Sequence, residues 1–228
     1  MRNMNNIKIC ITSNISFSNQ TFPLIIPSLL SSGIKGEDIF FFEGGNYERT
    51  INIKDGINYI KTNHNSVEYT SLIDIVEHNM EADFWVLLHD TCRVGNCFNS
   101  LIQNIPHNSQ KVALKHWPSM SIGAYSYQYL KANEERLKII KNTDYSRDAV
   151  QRWKQWGIEN EDYMLWKETS VKCDLYNSHL EHPQKFIVCD EPQWYSSNIT
   201  RRVEYYPQLD LYKSKSNWEP KPWMEIDI

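Results

Sequence analysis

The sequence predicts an α/β protein, a Rossmann-like, mixed but mainly parallel sheet flanked by helices. Three observations carry that expectation. Phe84-Trp85-Val86-Leu87-Leu88 is an unbroken apolar run, the pattern of a strand covered on both faces. Ile7–Asn14, a helical stretch and Ile39–Phe42 make strand, helix, strand within about forty residues, a βαβ unit. All three strand-like runs break off into polar residues, at Thr12-Ser13-Asn14, Glu43-Gly44-Gly45-Asn46 and His89-Asp90-Thr91. In open α/β sheets ligands bind outside the carboxyl ends of the strands.

Taken in order, Ile7–Asn14 alternates apolar residues with Lys8 and Cys10 and is a first strand. Phe22–Ser32 sets Leu24, Ile25, Leu29 and Leu30 on or near one helical face. Pro23 and Pro27 shorten or shift that helix, and Gly33 ends it. Ile39–Phe42 is the second strand. Residues 50–62 alternate weakly and suit a short strand and turn. Ser66 is placed to cap a helix over 67–79 with Tyr69, Leu72, Ile73 and Val76 inward. The apolar run is the third strand, Gly95–Ile105 a turn and short helix, and Lys111–Leu114 a fourth strand. Helices are expected over Tyr127–Lys141 and Asp148–Trp156 and from Asn160 to Met164, with a last strand-like run at Phe186–Cys189. The final residues, 214–228, read as a polar surface tail. No repeat or low-complexity tract divides the chain, so one domain is expected over 1–228.

Composition removes several function classes. A net charge of -4 lacks the basic footprint that bulk nucleic-acid binding needs. Five cysteines at irregular spacing fit neither a disulfide framework nor a zinc site. Reduced thiols point to a cytoplasmic location. The opening residues are polar and Ile7–Ile11 is too short for a signal h-region, so no signal peptide is expected. No stretch approaches a membrane span. The 13% aromatic content suits sugar stacking or a large aromatic core. These residues leave the oligomeric state open.

Motif search narrows the chemistry further. No GxGxxG follows the first strand, and GxxxxGK[ST], GxSxG and HExxH are absent. What remains is the set of polar strand ends. Thr12, Ser13 and Asn14 offer hydroxyl and backbone groups to a base or ribose. Glu43 offers an acceptor for a base N–H or ribose hydroxyls. Gly44 and Gly45 let a backbone come close or simply make a turn. Asp90, with His89, either holds Mg²⁺ or Mn²⁺ or caps a turn beside a core histidine.

Thr12-Ser13-Asn14, Glu43-Gly44-Gly45 and an apolar strand ending in His89-Asp90-Thr91-Cys92 together resemble the nucleotide-sugar half of a GT-A glycosyltransferase. Ser119–Ser126 resembles that family's acceptor-side strand and loop, and Glu161-Asp162 its acidic pair near the acceptor. Arg201–Pro207 and Asp210–Lys213 resemble the C-terminal part of the small, soluble glycosyltransferase domains of large DNA viruses, such as those of chlorella viruses. The resemblance spans about Ile7 to Lys213, in the order of the motifs. It implies a GT-A fold with a nucleotide-sugar half over 1–110 and an acceptor half over 111–213.

The same resemblance implies a cytoplasmic transferase that moves a sugar from a nucleotide diphosphate donor, UDP-sugar by default, to a glycan or other hydroxyl acceptor. Thr12, Ser13, Asn14, Glu43 and Gly44 would hold the nucleotide, with Arg201 and Lys213 on the diphosphate. Asp162, then Glu161, is the candidate base; the alternative for this pair is charge at a helix start. Gly123, Tyr125 and Trp156 are acceptor-side candidates, Trp156 being equally placed to fill a core. The family's metal motif is Asp-x-Asp, whereas this chain has His89-Asp90-Thr91. A weakly held Mn²⁺ or Mg²⁺ at Asp90 and His89 is expected, the alternative being metal-independent stabilisation by Arg201, Arg202 or Lys213. A nucleotide-sugar binding module without catalysis is the competing function. A nucleotidyltransferase is disfavoured, because residues 12–19 contain neither Gly nor Lys.

Overall fold

The computed structural model describes residues 6–114, 122–143, 149, 152, 185–189 and 201–216. Strand β1 (Ile7–Asn14) lies at the centre of a seven-stranded sheet. It pairs in parallel with β2 (Ile39–Gly44) on one side and β5 (Phe84–His89) on the other. Outside β2 run parallel β4 (Ile57–Lys61) and then antiparallel β3 (Thr50–Lys54). Beyond β5, β8 (Gly123–Ser126) is antiparallel, with β7 (Lys111–Ala113) at the edge. The sheet is therefore mixed and mostly parallel, as the apolar pattern predicts.

Side-chain alternation sends the strand residues into two layers. Ile9, Ile11, Phe41, Val86 and Leu88 pack on Phe22, Ile25 and Leu29 of α1 (Ser18–Ser31). Cys10, Phe42, Trp85 and Leu87 face Leu72, Ile73 and Val76 of α2 (Thr70–Glu77). Leu130 of α4 (Tyr127–Ala132) and Leu137 of α5 (Glu134–Ile139) join that second layer. Both faces of β5 are thus covered, which is why its sequence is apolar throughout.

Several boundaries differ from expectation. Helix α1 begins at Ser18 rather than Phe22, so both prolines lie inside it. Residues 50–61 form a two-residue hairpin, its turn made by Asp55 and Gly56 at φ 50° and 79°, the positive pair that a type I′ turn requires. Ser66 does not cap the helix after it. Its hydroxyl accepts from the Asn142 amide at 2.8 Å and meets His64 Nδ1 at 3.1 Å. The stretch 67–77 opens with a 3₁₀ turn at Val67–Tyr69 before α2, and 127–139 is broken into two helices at Asn133.

A second sheet departs from the single sheet expected. β6 (Cys92–Val94), β11 (Leu211–Ser216), β10 (Arg201–Tyr206) and β9 (Lys185–Cys189) pair antiparallel in that order. Cys92, Val94, Tyr206, Leu209 and Leu211 from this sheet enter the α1 layer, with Phe98 and Ile102 of α3 (Phe98–Ile102). Between β5 and β6 the chain passes from the main sheet to the second through the two residues Asp90-Thr91. No helix among the described residues is long and apolar enough to cross a membrane.

Candidate functional site

The connection from β1 leads outward to β2, whereas the chain returning from β4 crosses to the other side of β1 as β5. The carboxyl ends of β1 and β5 therefore flank the point where strand order reverses, the usual ligand crevice of such sheets. Ser13 and Asp90 meet there. Ser13 Oγ donates to Asp90 Oδ2 at 2.5 Å, and Thr21 Oγ1 of α1 donates to the same oxygen at 2.9 Å. The Asp90 amide donates to the Thr12 carbonyl at 3.2 Å, fixing the turn. Burial pushes the Asp90 carboxyl up, and the Ser13 and Thr21 hydroxyls offset part of that. Asn14 is half-buried, and its Oδ1 accepts from the Ser16 amide at 2.9 Å.

Thr12 points the other way, as neighbours on a strand must. Its hydroxyl donates to Ser71 Oγ at 2.8 Å in the α2 layer, so of the two adjacent candidates only Ser13 faces the carboxylate. The sequence did not single out Thr21 or Ser18. Their signal is the i, i+3 spacing of two hydroxyls on the first turn of a helix, visible only once α1 is known to start at Ser18.

Glu43 is only 5% exposed. Its carboxylate accepts from the Ser18 hydroxyl and, at 2.6 Å, from the Tyr59 hydroxyl. Burial raises its pKa, but those donors outweigh it and hold the carboxyl below its ordinary value. Glu43 thus joins α1 to β4 across the end of β2, its Oε2 accepting both hydroxyls inside the protein. Gly44 likewise serves the chain itself. A Cβ there would lie 3.0 Å from the His64 carbonyl and 3.3 Å from Thr70 Cγ2, so the close approach it permits is that of the 62–65 segment. Gly45 takes φ 92° and donates to the His64 carbonyl at 3.0 Å. His64 beneath this turn is fully buried, and desolvation lowers its pKa to about 3, so its ring is neutral.

Asp90 and His89 close β5 on different sides of the sheet. His89 lies opposite Thr12 in register, on the face turned toward α2, whereas Asp90 is bonded to α1. The two side chains therefore address opposite faces and do not chelate one ion together. Among the described residues no group of three His, Cys, Asp or Glu side chains is placed to hold a metal. Among the described residues Asp90 is thus one carboxylate at this edge, a thin site for a hard cation unless a ligand supplies further oxygens.

The remaining candidates divide. Lys213 is brought close: β11 sets it opposite Cys92, and the Ser214 amide donates to the Thr91 carbonyl at 3.0 Å. Arg201 opens β10, opposite Ser216 at the far end of β11. Gly123 is buried opposite Leu87. Tyr125 is fully buried opposite Trp85 and stacked on Tyr129 with ring centroids 6.4 Å apart; it is a core side chain and offers an acceptor no surface. Trp156, Glu161 and Asp162 lie outside the described residues. Two clefts of about 560 and 580 Å³ sit at the opposite, amino edge of the main sheet, one by Ile7, Ile34 and Asn99, the other by Asp83, Ser109 and Gln128. No protein-family model matches this chain, and comparison with curated proteins finds no significant match.

Proposed function

We propose that this chain is a glycosyltransferase that takes a nucleotide diphosphate sugar, UDP-sugar by default, and transfers the sugar to a hydroxyl acceptor with inversion. The observation that carries this reading is the Ser13–Asp90–Thr21 cluster at the strand-order reversal between β1 and β5. It supports a site for a polar ligand there, and the resemblance of the strand-end motifs supports a nucleotide sugar as that ligand. Ser13 and Asn14 are the nucleotide-side contacts, and Lys213 beside the Asp90 turn is the cation for the diphosphate. Glu43 and Gly44 act one layer back, shaping the turn. Mn²⁺ or Mg²⁺ would arrive with the donor's diphosphate, Asp90 adding one carboxylate oxygen.

In the proposed reaction an acceptor hydroxyl gives its proton to a carboxylate, Asp162 first and Glu161 second. The acceptor oxygen bonds to the anomeric carbon from the face opposite the leaving group, and the bond from that carbon to the phosphate oxygen breaks, releasing the nucleoside diphosphate. Calorimetry with UDP, with and without Mn²⁺, tests the site. Asp90→Ala is expected to abolish metal-dependent UDP binding; unchanged binding overturns the proposal. Asp162→Ala is expected to keep binding and lose transfer. The competing reading, a nucleotide-sugar binding module without catalysis, is favoured by the prior engagement of Asp90 Oδ2 with two hydroxyls. UDP binding with no hydrolysis of any UDP-sugar selects that module.

A further inference from the structure

Strand β3 is an edge of the main sheet, and every residue in it is exposed. In a two-residue hairpin the residues flanking the turn, here Lys54 and Ile57, form a hydrogen-bonded pair, and such pairs then recur at every second position. Thr50, Asn52 and Lys54 therefore spend their backbone groups on β4. Ile51 and Ile53 direct their N–H and C=O groups outward, and among the described residues none of these groups takes part in a backbone bond. Their side chains are 54% and 70% exposed on the same face of the strand. A free ladder edge with two adjacent exposed isoleucines is the pattern that recruits another strand.

We infer that β3 is a self-association strand, pairing antiparallel with β3 of a second copy about a two-fold axis at Asn52. The occupant follows from self-complementarity. In the register centred on Asn52, Ile51 opposes Ile53 of the second copy, and the reverse. Both are residues whose backbone groups point outward, so each pair closes two hydrogen bonds. The four isoleucines fall on one face as mutual neighbours. This register keeps like charges apart: Lys54 faces Thr50 of the second copy. A register shifted two residues toward the turn brings Lys54 opposite itself, and like charges directly opposite are destabilising. A two-fold contact of this kind uses the same patch on both copies and closes. The result is a continuous sheet of twice seven strands, with the two carboxyl edges facing away from each other along antiparallel directions. The buried edge is short, so association at the weak end of the protein–protein range is expected, on the order of tens of micromolar.

Sedimentation velocity of the full chain from about 1 to about 500 μM tests this. The wild type is expected to move from monomer to dimer across that range. Ile51→Lys and Ile53→Pro touch only exposed positions and outward-facing backbone, and each is expected to weaken dimerisation roughly tenfold or more. A wild type that stays monomeric, or variants that dimerise as well as it does, overturns the inference. Asn52→Cys reads the register independently. Residues opposed in a non-hydrogen-bonded pair have Cα atoms about 4.5 Å apart, within disulfide reach. Oxidation is therefore expected to cross-link Asn52→Cys to itself. Ile51→Cys and Ile53→Cys are expected not to cross-link to themselves, and the wild type, with Cys97 exposed, serves as the background. Self-linkage through position 51 or 53 in place of 52 overturns the register.

Discussion

Removing the Tyr59 hydroxyl is the sharpest test of the role given to Glu43. Tyr59→Phe keeps the ring, which packs against Phe22 and Phe41, and deletes one donor to a carboxylate that is 5% exposed. No cavity opens, so the cost is that of a lost charge-assisted hydrogen bond, about 1.5–3 kcal/mol. Ser18→Ala removes a second side-chain donor at similar cost, the Asn46 side chain being a third. The double variant is expected to lose less than the sum, because a buried carboxylate stripped of both hydroxyl donors takes up a proton more readily, with Asn46 and Lys61 left beside it. The sign of the pH dependence follows from the direction of the shift. The folded pKa of Glu43 lies below its ordinary value, so its contribution is complete above the unfolded pKa of about 4.3 and is lost as pH falls through the folded value. The gap between wild type and Tyr59→Phe, measured by urea unfolding, is thus full near neutrality and closes on acidification. A gap below about 0.5 kcal/mol at neutral pH, or one that persists in acid, refutes the reasoning.

Two further outcomes are expected. Arg49 binds Asp74 through Nε and Nη2 at 2.8–3.2 Å, and the Asp74 side chain is 2% exposed; Arg49→Met leaves that carboxylate with His78 Nε2 at 3.6 Å and is expected to cost about 3 kcal/mol in urea unfolding, the low end for a broken buried pair, with faster hydrogen exchange in the β3–β4 hairpin. Thr12→Val is expected to leave UDP affinity unchanged while Ser13→Ala weakens it about fivefold or more, a contrast calorimetry reads directly; equal effects would contradict the opposite orientation of the two side chains.

The parallel core was legible because burial on both faces leaves a mark in sequence: Phe84–Leu88 has no polar break, and β5 lies where that run lies. The polar ends of β1, β2 and β5 do reach one edge. Which of them point outward was not legible, since this depends on the strand phase and on partners distant in sequence. Thr12 was separated from Ser13 by Ser71, and Glu43 was claimed by Ser18 and Tyr59. The β3 strand was weakly marked because it has no buried face to impose alternation. The second sheet was hidden for another reason. β6 is three residues long and finds its partner, β11, more than a hundred positions later, a pairing no local pattern encodes.

That distant pairing sets an order of assembly. The turn bearing Asp90 is moored from its far side by Ser214, so during synthesis the β1–β2–β5 scaffold emerges long before the segment that holds the acidic turn in place. On the ribosome the crevice is completed late, when the last of these strands clears the exit tunnel, and a chain halted before residue 211 carries a folded nucleus in which Asp90 keeps Ser13, Thr21 and the Thr12 carbonyl but Thr91 lacks its outer brace.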